Sequence, residues 1–148
     1  MKICIACSAG GHLIESLQLM PILKKHHVFF VTVDRPQSRQ VLKGKKVYFI
    51  EDTKRNPAKL LKNFHHVLSI LSKEKPKVII STGAAAAIPA IYAGKIIGSK
   101  IIFIESMAAI DKPSSSGKVA YPVSDLFIVQ WKGLLKYYKK GVYGEQLI

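Results

Sequence analysis

Lys2-Ile3-Cys4-Ile5-Ala6-Cys7 followed by Ser8-Ala9-Gly10-Gly11-His12 is the stretch that decides the fold. The apolar run after Lys2 has the length of a buried strand, and the glycine pair lets the backbone turn tightly into a helical stretch, His12–Lys24. A strand that passes through a glycine turn into a helix is half of a βαβ unit, and the alternation continues along the chain. His27–Val33, Lys46–Ile50, Lys77–Ser81, Lys100–Ile104 and Asp125–Val129 read as further strands. Asn56-Pro57 starts a helix running to about Lys73, because Leu60, Leu61, Phe64, Val67, Leu68 and Leu71 recur at three-to-four spacing. Ala85–Ile97 is an apolar helix ended by Gly98, a short helix follows the loop Lys112–Ser116, and a weak one lies near Leu134–Tyr138. Pro21 should kink or end the first helix, and Arg35–Leu42 is either helix or loop. The expected fold is α/β: a mostly parallel sheet with helices on both faces, in one domain spanning 1–148.

With 148 residues, 49% of them hydrophobic, and a mean hydropathy of +0.18, the chain can build a core and is no disordered polycation. Its charge is lopsided, with 23 Lys+Arg against 9 Asp+Glu for a formal +14. Only Arg35, Arg39 and Arg55 are arginines, so forked recognition of bases is scarce while diffuse positive charge is plentiful. That favours phosphates or an anionic membrane face over sequence-specific DNA reading, and nucleic acid is not the expected partner. A secretory leader is not expected, and the nearest approach to a spanning helix, Ala84–Ile97, contains Pro89 and Lys95. Cys4 and Cys7 form a C-x-x-C, but on a strand residues three apart point to opposite faces, and no second pair completes a zinc site. They read as reduced core cysteines of a cytosolic protein, with no metal and no cofactor expected. Asp34 is only a loose echo of a ribose-binding acid, since neither glycine turn is G-x-G-x-x-G.

Ligands of open parallel sheets bind outside the carboxyl ends of the strands, where the strand order reverses. Two glycine-bearing turns are expected there, Ser8–His12 and Ser81–Ala84. Ser8, Gly10, Gly11, Thr82 and Gly83 are candidate diphosphate-binding residues, since open amides at a helix start favour an anion. The alternative is that the glycines merely make tight turns. His12 could accept a sugar hydroxyl proton or donate to a phosphate oxygen, or simply cap its helix. Glu105, after four apolar residues at the same sheet edge, is a second catalytic candidate, or else a cap or a lysine partner. His26-His27 and His65-His66 read as surface or strand-edge residues, and Ser114-Ser115-Ser116-Gly117-Lys118 as a Ser-rich helix start rather than a P-loop. Trp131, Tyr137, Tyr138 and Tyr143 lie among Lys132, Lys136, Lys139 and Lys140 in a tail that suits stacking, a membrane interface, a docking surface or a closing helix.

Taken together, residues 8–12, 81–85, 102–106, 116–122 and 125–131 resemble the oligosaccharide biosynthesis family of acceptor-side subunits of split glycosyltransferases. The chain is more distantly similar to the N-terminal half of the lipid II-forming N-acetylglucosaminyltransferase. The resemblance implies a Rossmann-like domain corresponding to the N-terminal half of a GT-B enzyme. Such a domain binds a lipid-diphosphate acceptor while a separately encoded chain supplies the UDP-sugar domain, and it is inactive without that partner. It implies acceptor-phosphate and base roles for Gly10, Gly11 and His12, a second phosphate-facing turn at Gly83, a cleft role for Glu105, and partner docking through 131–148. The sequence starts at its first strand without the N-terminal membrane helix of eukaryotic members. Peripheral attachment at the cytoplasmic face of an anionic membrane, through basic and apolar surface, or recruitment by another membrane protein is therefore expected. The competing readings are a non-catalytic scaffold for a self-sufficient transferase and, less favoured, a basic nucleic-acid-binding domain.

Overall fold

The structure, a computed structural model, describes residues 1–54 and 56–145. Its strands are β1 (Lys2–Cys7), β2 (His27–Val33), β3 (Val47–Ile50), β4 (Val78–Gly83), β5 (Lys100–Ile104), β6 (Leu126–Val129) and β7 (Val142–Tyr143). The helices are α1 (Gly11–Leu17), α2 (Met20–Leu23), α3 (Pro36–Val41), α4 (Pro57–Glu74), α5 (Ile88–Ile96) and α6 (Ser115–Ala120). The sheet order is β3-β2-β1-β4-β5-β6-β7, and every pairing is parallel. The order reverses between β1 and β4, so the turns that follow these two strands stand side by side.

Strand alternation divides the core into two layers. Cys4 and Ala6 pack with Val67 and Leu71 of α4, Ala90 and Ile91 of α5, and Phe103. Ile3, Ile5 and Cys7 pack on the opposite face with Leu13 of α1, Leu23 of α2 and Leu42. Cys4 and Cys7 are therefore free, buried and on opposite faces. Burial raises the Cys7 thiol to about 11, and burial raises that of Cys4 well above its ordinary value.

Several boundaries differ from expectation for local reasons. The first helix is two pieces, because Pro21 lacks the N–H that an interior position needs and sits in the first turn of α2. The helix expected over Ala85–Ile97 begins as a 3-10 turn, Ala85–Ala87, before Pro89 enters the first turn of α5. Arg35–Leu42 resolves as α3, locked by Ser38, whose hydroxyl accepts from Arg35 N at 3.1 Å and donates to Val33 O at 2.6 Å. Asn56 caps α4 by accepting from Ala58 N at 2.9 Å and Lys59 N at 3.3 Å. The tail helix is a 3-10 turn, Lys132–Lys136, leading to β7, which no periodicity in the sequence announces. Under the strands' opposite ends Glu74, nearly buried, is held by Lys46, Lys2 and Tyr48. Among the described residues no helix is long and apolar enough to cross a membrane, and no group of His, Cys, Asp and Glu has metal-holding geometry.

Candidate functional site

The two glycine turns meet at the C-terminal edge of the sheet. The β1–β4 ladder shifts by one residue after Ala6, so that Cys7 pairs with Gly83. Gly83 takes φ +112°, and a Cβ there would fall 3.1 Å from Ser116 Oγ and 3.4 Å from His12 Cε1. Only a glycine lets the histidine of α1 and the serine of α6 converge on this turn from opposite faces of the sheet.

His12 is fixed by backbone. Its Nδ1 lies 2.9 Å from Thr82 O, and because a carbonyl only accepts, Nδ1 carries the hydrogen. In the neutral ring that leaves the lone pair on Nε2, which has no partner among the described residues, on a side chain 28% exposed. The backbone of His12 is held as well: Thr82 Oγ1 donates to His12 O at 2.7 Å and Ser16 Oγ to the same oxygen at 2.6 Å. Thr82 thus turns its hydroxyl inward at 2% exposure, onto the His12 carbonyl. Glu15, which belongs to no motif in the sequence, places Oε2 3.8 Å from His12 Nδ1.

Glu105 is 1% exposed and fully occupied. Its carboxylate accepts from Ser114 Oγ at 2.6 Å, Tyr138 OH at 2.8 Å, Ser106 N at 3.1 Å and Ser114 N at 3.2 Å. A carboxylate with four donors out of solvent is a hub that ties the loop after β5 to the start of α6 and to the tail. A chain of hydrogen bonds leaves it toward the crevice. Ala84 N donates to Ser116 Oγ at 3.1 Å, Ser116 Oγ lies 3.3 Å from Ser114 Oγ, and Ser114 Oγ donates to Glu105. The hub therefore sets the height of the second glycine turn. Ser114 also caps α6 by accepting from Gly117 N at 2.9 Å, the Ser-rich helix start that the sequence suggested.

Tyr138 corrects the reading of the tail. It is 2% exposed, its ring packed at a tilt against Phe127 at 4.3 Å and Tyr121 at 5.0 Å, and its hydroxyl is spent on Glu105. Burial and the neighbouring Glu105 carboxylate push that phenol far above its ordinary value. It belongs to the chain's own core and not to a docking surface. Tyr137, next to it, is exposed and lies under Lys136 at 4.9 Å, while Tyr143 lies under Lys132 at 5.1 Å. Trp131 is half-buried and donates to Met107 O at 2.8 Å. Residues 146–148 of the expected docking segment lie outside the described residues, as does Arg55. His27, His65 and His66 are exposed and His26 half-buried.

Two cavities flank Ala84. One of about 200 Å³ is lined by Ser8, Ala9, Arg35, Lys54 and Ala84–Ala86, with Asp52 paired to Arg35. The other, of about 640 Å³, is mainly apolar and runs between Pro57, Leu60, Ile88, Ser116 and Val119. It continues into an apolar trough of about 390 Å³ along α4 and α5, lined by Leu61, Phe64, Pro89 and Tyr92. His12 lines neither, and its ring lies against Gly83, next to the Ala84 that both share.

A parallel sheet reversing at β1/β4, with two glycine turns and a histidine at that reversal, defines a Rossmann-like domain of the kind that forms the N-terminal half of GT-B glycosyltransferases. MurG of Acinetobacter baumannii superposes with a TM-score of 0.82 at 15% identity, covering 97% of this chain and 45% of that one. A UDP-N-acetylglucosamine 2-epimerase from Rickettsia bellii follows with a TM-score of 0.77 at 15% identity, covering 97% of this chain and 44% of that one. The family described as "Oligosaccharide biosynthesis protein Alg14 like" matches residues 34–147, and the chain belongs to it. Among its relatives, the UDP-N-acetylglucosamine transferase subunit ALG14 of Candida albicans is 40% identical over 77 residues, 48% of this chain and 35% of that protein. The subunit of the same name from Yarrowia lipolytica is 27% identical over 171 aligned positions, covering 96% of this chain and 79% of that protein.

Proposed function

We propose that this chain is the acceptor-binding and membrane-recruiting subunit of a two-chain glycosyltransferase that moves a sugar from a UDP-sugar to a polyprenyl-diphosphate-linked saccharide. The observation that carries the reading is His12. Its Nδ1–H is spent on Thr82 O, so the ring keeps a basic Nε2 at the turn where the strand order reverses. The names of the relatives, transferase subunits that act with UDP-N-acetylglucosamine, support the reaction class and a partner chain.

In the proposed step a hydroxyl of the acceptor saccharide gives its proton to His12 Nε2 as its oxygen attacks the anomeric carbon. The bond from that carbon to UDP breaks, and the electron pair leaves with the diphosphate. The donor half and the stabilisation of departing UDP come from the second chain. On this chain the small cavity, with Arg35, Lys54 and the Ala85–Ala86 segment, suits the acceptor diphosphate. The apolar cavity and its continuation between α4 and α5 suit the first isoprene units. The +14 charge suits an anionic cytoplasmic membrane face, and exposed Tyr137 with half-buried Trp131 and Tyr143 suits docking of the partner.

The test is reconstitution with the product of a gene resembling the C-terminal GT-B half, on vesicles carrying a polyprenyl-diphosphate saccharide. Transfer is expected only with both chains, and His12→Ala is expected to lower turnover by roughly 10²–10⁴-fold. Transfer by either chain alone overturns the two-chain reading. Full turnover with His12→Ala converts this chain into a scaffold.

A further inference from the structure

We propose that Glu15 is a positioning residue for His12, compensating the positive charge that the ring acquires when Nε2 takes a proton, while Thr82 O keeps the hydrogen on Nδ1; this rests on the base role given to His12 above. Glu15 lies one helical turn beyond His12 on α1, and its side chain is 14% exposed. The two carboxylate oxygens are treated differently. Oε1 accepts from Ser106 Oγ and Met107 N, each at 3.1 Å, which ties α1 to the loop after β5. Oε2 is out of solvent, has no hydrogen-bond partner among the described residues, and points to His12 Nδ1 at 3.8 Å.

A buried carboxylate oxygen without a donor is costly, and the structure keeps one beside the ring. The cost is offset in the state where the ring is charged. While His12 is neutral, its Nδ1–H is satisfied by Thr82 O and Oε2 is only a neighbour. When Nε2 takes the hydroxyl proton, nothing leaves Nδ1, and the ring carries a full positive charge. Thr82 O then offers a dipole, whereas Glu15 offers a whole negative charge. Thr82 and Gly83 from β4, which meet the ring, Ser116 from α6, which meets the same glycine turn, and Ser106 and Met107, which hold Glu15, are all uncharged. Glu105, the residue after β5, is occupied by Ser114, Ser106 and Tyr138. Thr82 O and Glu15 together do for His12 what an orienting acid does for a histidine base in hydrolases: the carbonyl selects the tautomer and the carboxylate stabilises the imidazolium.

The decisive variant is Glu15→Gln, which keeps the shape and an oxygen for Ser106 and Met107 but removes the charge. In the isolated chain, ¹⁵N spectra of the imidazoles followed against pH report both the tautomer and the imidazolium fraction of His12. The parent is expected to show the Nδ1–H tautomer. Glu15→Gln is expected to lower the imidazolium fraction at a given pH by about fivefold or more, from the loss of a charge at 3.8 Å. In the reconstituted transferase the same variant is expected to lose about tenfold in kcat with KM little changed, because the charge appears only as the proton moves. A purely structural Glu15 would instead shift the melting temperature and leave the His12 titration unaltered. An unaltered titration in a folded Glu15→Gln chain overturns the proposal whatever the turnover. An altered titration together with full turnover by both Glu15→Gln and His12→Ala overturns the base role, and with it the catalytic purpose of the pair.

Discussion

Replacing Gly117 by alanine is a test in which backbone preference and tertiary contact predict opposite signs. Gly117 lies inside α6 with no left-handed backbone, so alanine should on propensity alone stabilise the helix by about 1 kcal/mol. The contact geometry opposes this. A Cβ at 117 would come within 2.6 Å of Tyr138 OH and 2.9 Å of the Glu105 carboxyl carbon, and closer still to Glu105 Oε2. Glu105 has no free direction in which to retreat, because Ser106, Ser114 and Tyr138 hold it from separate segments. Overpacking a filled site costs roughly 1–3 kcal/mol. Separating Tyr138 OH from its carboxylate leaves buried polar atoms unpaired for about 1–3 kcal/mol more. The net expectation is a loss of roughly 1–5 kcal/mol, a fall in Tm of about 3–16 °C for a chain of this size. Urea denaturation and thermal circular dichroism of Gly117→Ala measure it. Gly133→Ala, where a Cβ meets nothing within 4 Å, serves as the control and should be close to neutral. A Gly117→Ala protein as stable as the parent would refute the view that Glu105 is pinned.

Two further outcomes follow from buried ionisable groups. The Lys46 ammonium first, then Tyr48 and Lys2, hold the Glu74 carboxyl down from 4.5 to about 2. A depressed folded value means the stabilisation is complete above about 4.5 and is lost as the pH falls toward 2. The gap in urea midpoint between the parent and Glu74→Gln should therefore be wide at pH 6 and shrink through pH 3; a constant gap contradicts the assignment. Asp125, held low by the amide of Ile101 and by Lys95, should leave the variant some acid sensitivity. Cys4 and Cys7 are buried on opposite faces, with Cys7 raised to about 11. Their labelling by a thiol reagent at pH 8 should proceed only as fast as the chain unfolds, and rapid labelling of the native protein would show that the core opens locally.

Strands such as His27–Val33 and Lys100–Ile104 were legible residue for residue, because an apolar run between turn signals leaves a chain little alternative to a buried strand. So were the two glycine turns, since a sharp strand-to-helix turn demands residues that tolerate positive φ. β7 was not legible: two residues have no period, and the strand exists only through its pairing with β6. Glu15 was hidden for a similar reason. Its partners Ser106 and Met107 lie 91 and 92 positions away, and nothing local distinguishes it from an ordinary acid on a helix surface. Tyr137 and Tyr138 read alike as aromatics among lysines, and the direction of one 3-10 turn sends the second into the core and leaves the first outside.

Alone, the sequence determined the α/β alternation, the opposed faces of Cys4 and Cys7, and the two turns with His12, because each depends on interactions between residues close in the chain. The sheet order decided the rest. By placing β1 against β4 it joined those turns, and by bringing α6 and the tail to the end of β5 it closed Glu105 into a hub. Hydrogen-bond satisfaction is a property of three-dimensional neighbours, so whether a carboxylate is free to react or already occupied becomes visible only when the fold has brought its donors together.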